Sequence, residues 1–221
     1  MRLTHLGHAC LLVEAAGSRL LIDPGTYSGD FASHTGLDAI LLTHQHADHV
    51  DSNRMPALLA ANPGALLLAE PETVDVLRGM SGVDVDATSF AGGQTTSLGA
   101  VTIEGVGERH AFNHGGVPRC GNTGFVISSA GESTLFHPGD AYDGVPERQV
   151  DVLALPLNAP WAAVRHTLDF ANRIRPRWVV PVHDALLSTD GREGYLMHVD
   201  GFTPKVTTVQ DLADGVPWDV D

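Results

Sequence analysis

The feature that most limits how this chain can fold is an order of elements that occurs twice. Gly7-His8-Ala9-Cys10-Leu11-Leu12-Val13, a turn at Ala16-Gly17-Ser18 and Leu20-Leu21-Ile22-Asp23-Pro24-Gly25 read as a β-hairpin ending in a Pro-Gly loop. Gly121-Asn122-Thr123-Gly124-Phe125-Val126-Ile127, Ala130-Gly131-Glu132 and Leu135-Phe136-His137-Pro138-Gly139-Asp140 read the same way. Each hairpin is followed by a short apolar run, Leu37-Asp38-Ala39-Ile40-Leu41-Leu42 or Val150-Asp151-Val152-Leu153-Ala154-Leu155, suited to a strand covered on both faces. A helical stretch comes next, over 50–61 or 161–174, stopping near Pro63 or Pro176. A further apolar strand follows, Ala65-Leu66-Leu67-Leu68 or Trp178-Val179-Val180. Neither half can bury its sheet alone, whereas two mixed sheets packed face to face with helices outside satisfy both. The expected fold is therefore α/β, an αββα sandwich, as one domain over residues 1–221 with two pseudo-symmetric halves.

The chemistry concentrates where the first of these buried strands ends, in Leu41-Leu42-Thr43-His44-Gln45-His46-Ala47-Asp48-His49. Alternation places His44 and His46 on one side, as two imidazoles sharing an ion require. Asp48 and His49, expected at the start of the following helix, can then turn toward a second ion. Neutral imidazoles and carboxylates suit a borderline cation such as Zn²⁺, and the same donors accept Mn²⁺ or Fe²⁺.

His44-x-His46-x-Asp48-His49 after an apolar strand resembles the signature of the metallo-β-lactamase superfamily. The resemblance covers nearly the whole chain: Asp23 in a strand-end turn, His110 after a mid-chain strand, Asp140 in His137-Pro138-Gly139-Asp140-Ala141, and His183 closing Val180-Pro181-Val182-His183 all match the family pattern. Leu6-Gly7-His8-Ala9 and the compact length are similar to the branch of small cytoplasmic metal-dependent hydrolases that includes L-ascorbate-6-phosphate lactonase and, more distantly, N-acylphosphatidylethanolamine phospholipase D. The resemblance implies the αββα fold and two divalent metal ions. His44, His46 and His110 would hold one ion, Asp48, His49 and His183 the other, and Asp140 would bridge them, with Asp48 and Asp140 as the catalytic carboxylates. Two cations about 3.5–4 Å apart need a shared anion between them, and a water under that charge loses a proton near neutral pH and becomes a nucleophile. The implied reaction is hydrolysis of a small ester, lactone or phosphodiester. A nuclease or RNA-processing enzyme of the same fold is the alternative, and a diiron oxidoreductase a more remote one, since such relatives carry glutamate where this chain has His46.

Around this set, His8 and Asp23 are candidates for orienting ligands, as a metal site requires. His114, in a Gly-rich loop four residues past His110, and Asn158 and Trp161, in the loop that the repeat makes the counterpart of 44–49, are candidates for touching substrate. Asn158 is the candidate oxyanion donor. His5, His34, His166 and His198 read as ordinary, and Cys10 and Cys120 as packing residues. The formal net charge of −14 disfavours nucleic acid and anionic membranes as partners and leaves a small molecule. Hydrophobic residues at 43% suffice for a core. No secretory leader, no run near the roughly 20 apolar residues of a membrane span, no cap domain and no cysteine framework is read, so a cytoplasmic protein is expected. Nothing in the pattern speaks to oligomeric state.

Overall fold

The computed structural model describes residues 1–80 and 85–220. The first half supplies β1 (Arg2–His5), β2 (Leu11–Ala15), β3 (Ser18–Ile22), β4 (Ala39–Leu42), β5 (Leu66–Ala69) and β6 (Ala87–Ser89), with helices α1 (Met55–Ala61) and α2 (Pro71–Arg78). The second supplies β7 (Thr95–Leu98), β8 (Val101–Val106), β9 (Gly124–Ser129), β10 (Leu135–His137), β11 (Val152–Pro156), β12 (Trp178–Val182) and β13 (Thr208–Val209), with α3 (Val164–Ile174) and α4 (Thr189–Phe202). A last short strand, β14 (Trp218–Asp219), returns to the first sheet.

The two sheets are ordered β14-β1-β2-β3-β4-β5-β6 and β13-β12-β11-β10-β9-β8-β7. In the first, β1-β2 and β2-β3 are antiparallel and β3-β4, β4-β5 and β5-β6 parallel. In the second, β8-β9 and β9-β10 are antiparallel and β10-β11, β11-β12 and β12-β13 parallel. The same sequence of senses thus occurs in both sheets, with β14 and β7 added antiparallel at the outer strands.

Side-chain alternation explains why the central strands are apolar throughout. Leu20, Ile22, Ala39 and Leu41 face Phe125, Ile127, Val152 and Ala154 across the interface between the sheets. The alternate residues Leu21, Ile40 and Leu42 pack outward against Met55, Leu58, Val74 and Leu77 of α1 and α2. Leu153, Leu155 and Val179 pack outward against Phe170, Ile174 and Val199 of α3 and α4. Every strand of this kind is covered on both faces, which is the αββα sandwich.

Both helices that follow the buried strands begin later than the sequence pattern suggests. α1 starts at Met55, not near 50, because the Asp51 carboxylate accepts the backbone N–H groups of Asn53 and Arg54 and holds a turn there. Asp48 and His49 accordingly lie in a turn closed by His49 and Val50 N–H donation to the His46 carbonyl, not on a helix. α3 starts at Val164, after Pro160 and a turn in which the Ala162 N–H donates to the Ala159 carbonyl. None of the helices in the described residues is long and apolar enough to cross a membrane.

Candidate metal centre

Because β1, β3 and β4 run one way, and β10, β11 and β12 likewise run together, their carboxyl ends gather at one end of each sheet. Asp23 follows β3, His44 follows β4, Asp140 follows β10 and His183 follows β12. Backbone bonds stitch these loops across the two sheets, Thr123 N–H donating to the Thr43 carbonyl and His183 N–H to the His8 carbonyl, and within the second sheet, Ala111 N–H donating to the Asp140 carbonyl. Tight turns are needed to bring them this close. A Cβ at Gly25 would sit 1.7 Å from the Asp48 carbonyl oxygen, and one at Gly139 2.7 Å from the Thr43 side chain. His8, Asp23 and His183 themselves hold left-handed φ angles of 52°, 48° and 56°, strain that is retained where side chains must be aimed.

The chemistry-bearing side chains form two clusters, His44-His46-His110-Asp140 and His8-Asp48-His49-His183, the candidate ligand atoms of each lying within 4.8 Å of one another. Asp140 joins the clusters. Its Oδ2 lies 3.3 Å from His110 Nε2, 3.2 Å from His183 Nε2 and 3.9 Å from His44 Nε2, and its Oδ1 lies 3.2 Å from His49 Nε2. All of these residues are buried except His46, which is exposed, and Asp48, which is half-buried, so the clusters open to solvent on that side.

The outer nitrogen of each ring is tied down, which fixes the tautomer. Asp23 takes the Thr43 hydroxyl proton on Oδ2 at 2.6 Å, so His44 Nδ1–H donates to that hydroxyl oxygen at 3.1 Å. Asp23 Oδ2 also accepts from His49 Nδ1 at 2.7 Å. His110 Nδ1 donates to the Ala111 carbonyl at 2.8 Å and His183 Nδ1 to the Asn158 carbonyl at 2.6 Å. In each case Nε2 is the nitrogen turned inward. His46 is reversed: its Nε2 meets Cys120 Sγ at 3.7 Å and its Nδ1 faces His44 Nε2 at 3.1 Å. His49 Nε2, His110 Nε2, His183 Nε2 and Asp140 Oδ1 are buried without a hydrogen-bond partner in the protein. Buried donors and acceptors are rarely left so, and a convergent set of unpartnered ring nitrogens around a carboxylate fits divalent cations.

The electrostatics agree. Burial, helped by the neighbouring His49, pushes His44 well below the ordinary imidazole range and so favours its neutral ring, the form a metal ligand needs. Burial would also lower His183, but Asp140 and Asp48 outweigh it and hold that ring up at about 9. His49 is raised in the same way by Asp140 and Asp23 against the pull of burial. Burial alone would raise Asp140 and Asp48. The charges of His49 and His183 keep the first well below the usual carboxylate range, and the nearby His183 ring together with the hydrogen bond from His8 does so for the second.

Of the remaining sequence candidates, Asp23 is fully buried beneath His44 and His49, and His8 donates Nε2–H to Asp48 Oδ2 at 3.1 Å. Trp161 reaches the site, its indole N–H donating to Asp140 Oδ2 at 3.1 Å. Asn158 does not line the cavity over the clusters, against the oxyanion expectation: its amide oxygen accepts from the Tyr195 hydroxyl at 3.0 Å, and its backbone carbonyl lies behind His183. His114 is exposed, accepts a hydrogen bond from Gly116 N–H and does not line the cavity over the clusters. Two groups went unread in the sequence. Thr43 links Asp23 to His44, and its place directly before the first histidine was the available signal. His5 is buried behind His8, with Nε2 at 2.8 Å from the His8 carbonyl.

Residues 2–183 match the β-lactamase superfamily domain. The chain belongs to the β-lactamase superfamily. Within it, the chain is 43% identical over 88% of its length to the protein Rv0786c of Mycobacterium tuberculosis, 89% of which is covered. It is 30% identical to a UPF0173 metal-dependent hydrolase of Exiguobacterium, over 83% of this chain and 85% of that one. Igni18, a metallo hydrolase of the archaeon Ignicoccus hospitalis, shares the superfamily fold with a TM-score of 0.73 at 21% identity, over 100% of this chain and 99% of that one.

Proposed function

We propose that the protein is a dinuclear metal-dependent hydrolase acting on a small ester, lactone or phosphodiester. The observation that carries this reading is the pair of donor clusters joined through Asp140, with ring nitrogens buried and unpartnered between them. His44, His46 and His110 would hold one ion, Asp48, His49 and His183 the other, and Asp140 both; Zn²⁺ suits the set best and Mn²⁺ or Fe²⁺ also fit. Bound ions supply the positive charge that acidifies water and polarises a substrate carbonyl or phosphoryl oxygen. The chain's own contribution is orientation. Asp23, Thr43 and the Ala111 and Asn158 carbonyls hold the rings, and Asp48 is kept anionic at the open side by His8. The net charge of −14 favours a small substrate over a nucleic acid.

The reading is tested by elemental analysis of the purified chain together with a screen of esters, lactones and phosphodiesters. Two ions per chain are expected, with Tm raised by about 5–10 °C for each ion at a metal concentration 100-fold above its Kd. No uptake of Zn²⁺ or Mn²⁺ by the folded chain sinks it. The pH dependence has a definite sign. In the metal-free protein His183 keeps its proton up to about pH 9. A cation must displace that proton and the one held on His49, so apparent affinity should rise by about 10-fold or more per unit from pH 6 to 8, measured by chelator competition. A flat profile contradicts the ligand role of His183.

Two histidines four residues apart separate ligand from neighbour. His110→Ala should remove metal from the first cluster and cut kcat/KM more than about 100-fold, beyond the range of lost orienting groups. His114→Ala should keep both ions and change turnover little, because the ring is exposed and outside the cavity. The reverse result reassigns the third histidine.

A further inference from the structure

The cavity over the two clusters is small, about 250 Å³, and its lining divides by chemistry. His46, Asp48, His110, Asp140 and His183 supply its polar floor, while Tyr27, Pro160, Trp161 and Leu186 supply apolar walls. Among the described residues that line it there is no lysine and no arginine. Two guanidiniums bond to residues beside the cavity but are committed elsewhere. Arg54 is paired with Asp51, bonded to the Gly25, Ser28 and Gly29 carbonyls and stacked on Phe31. Arg119 is bonded to the His110 carbonyl and lies 3.8 Å from Asp143.

Trp161 is held as a fixed wall across both clusters. Its indole N–H is anchored on Asp140, and its ring meets His110 edge-on at 5.8 Å and His183 at 6.3 Å. Behind it Tyr142 packs at 4.9 Å, with its own hydroxyl fixed between the Pro156 carbonyl and Thr167 Oγ1. At the second cluster Tyr27 meets His8 edge-on at 5.2 Å. Tyr27 and Leu186 leave 49% and 54% of their surface in water, large apolar side chains that a substrate would cover.

We infer that this pocket selects substrates that are uncharged outside the scissile group and carry a flat or compact apolar group against Trp161: neutral esters and lactones, not substrates with a remote carboxylate or phosphate. The inference rests on the hydrolase reading and narrows it. A remote anion placed against indole, proline and leucine would lose its hydration with no lysine or arginine beside it, the two ions being engaged by the scissile group. A neutral aryl or alkyl group in the same place covers Trp161 and Tyr27 at no such cost.

The test uses the metal-loaded full chain with methyl 4-acetoxybenzoate and 4-acetoxybenzoate, two acetate esters that differ in the charge at the far end of the ring. The neutral ester should show kcat/KM about 10-fold higher or more, mostly through KM. Trp161→Ala should raise KM for the neutral ester and erase most of the preference. Trp161→Phe, which keeps an aromatic wall but drops the N–H to Asp140, should lower kcat while leaving KM nearer the parent value. Leu186→Arg, at an exposed position, should shift the preference toward the anion by about 10-fold. Binding of the neutral product, methyl 4-hydroxybenzoate, should quench tryptophan fluorescence in the parent chain and not in Trp161→Phe. Equal or better turnover of 4-acetoxybenzoate, an unchanged preference in Trp161→Ala, or no quenching overturns the inference and leaves the hydrolase reading standing. Turnover of no ester, lactone or phosphodiester by a chain that holds both ions and shows the quenching sinks the hydrolase reading and leaves the pocket assignment standing.

Discussion

Asp140→Ala is expected to release metal from both clusters at once and to reduce kcat/KM by well over about 100-fold, more than the loss of any group that only orients a ligand. Asp140 is 3% exposed, and its two oxygens lie within 4 Å of His44, His49, His110 and His183, which come from both donor clusters. Its removal leaves two neighbouring cations with no shared anion between them. It also withdraws the charge that holds His49 and His183 above the ordinary imidazole range. Asp140→Asn keeps the shape and the backbone bond from the Asp140 N–H to Asn122 Oδ1 but not the charge. It should therefore retain the fold by circular dichroism while losing metal by elemental analysis. Two ions retained in both variants would rule out a bridging role for this residue.

Asp23→Ala should cost the fold as well as the site. The side chain is fully buried and accepts three hydrogen bonds: Thr43 N–H on Oδ1 at 2.8 Å, and the Thr43 hydroxyl and His49 Nδ1 on Oδ2 at 2.6 and 2.7 Å. Truncation strands all three donors where water does not reach, a cost of about 3–5 kcal/mol, or roughly 10 °C in Tm for a chain of this size. It also frees the ring of His49 and, through Thr43, that of His44, so metal affinity should drop by about 10–100-fold beyond the stability loss. Thr43→Val separates the two effects. It keeps the backbone N–H bond to Asp23 and cuts only the relay to His44, so it should weaken metal binding with a smaller change in Tm. Equal Tm losses in the two variants would mean that the relay, not Asp23 itself, supports the fold here.

Much of this architecture was legible in the chain because it rests on local pattern. The stretches 39–42 and 152–155 are apolar on both faces, and a strand sandwiched between two layers needs that. The Pro-Gly turns after β3 and β10 mark where each hairpin ends, and Asp23 and Asp140 stand beside those turns. The spacing from His44 to His49 placed four donors in one loop, and the structure brings them together with His110, Asp140 and His183. Helix starts were less legible. Whether Asp51 caps a turn or enters a helix depends on Arg54, whose guanidinium bridges Asp51 to the 25–29 loop, a contact between segments far apart in sequence.

Local patterning therefore determined which residue types alternate, where strands end and which donors share a loop, because each of these depends on neighbours a few positions away. Tertiary structure alone decided what lies behind and above those donors. Asn158 reads as a candidate oxyanion donor, yet it does not line the cavity, and its backbone carbonyl and amide oxygen accept from His183 and from Tyr195 on α4. His114 and His110 differ little as residues in one loop, yet only His110 is drawn under Asp140 by the bond from Ala111 N–H to the Asp140 carbonyl. Trp161 becomes the wall of the cavity because β10 and β11 run parallel side by side, so the loops at their carboxyl ends meet and the indole reaches Asp140. Such contacts join positions 21 to 37 residues apart, and no periodicity in the chain encodes them; they exist only once the loops at one edge of the folded sheet have been brought together.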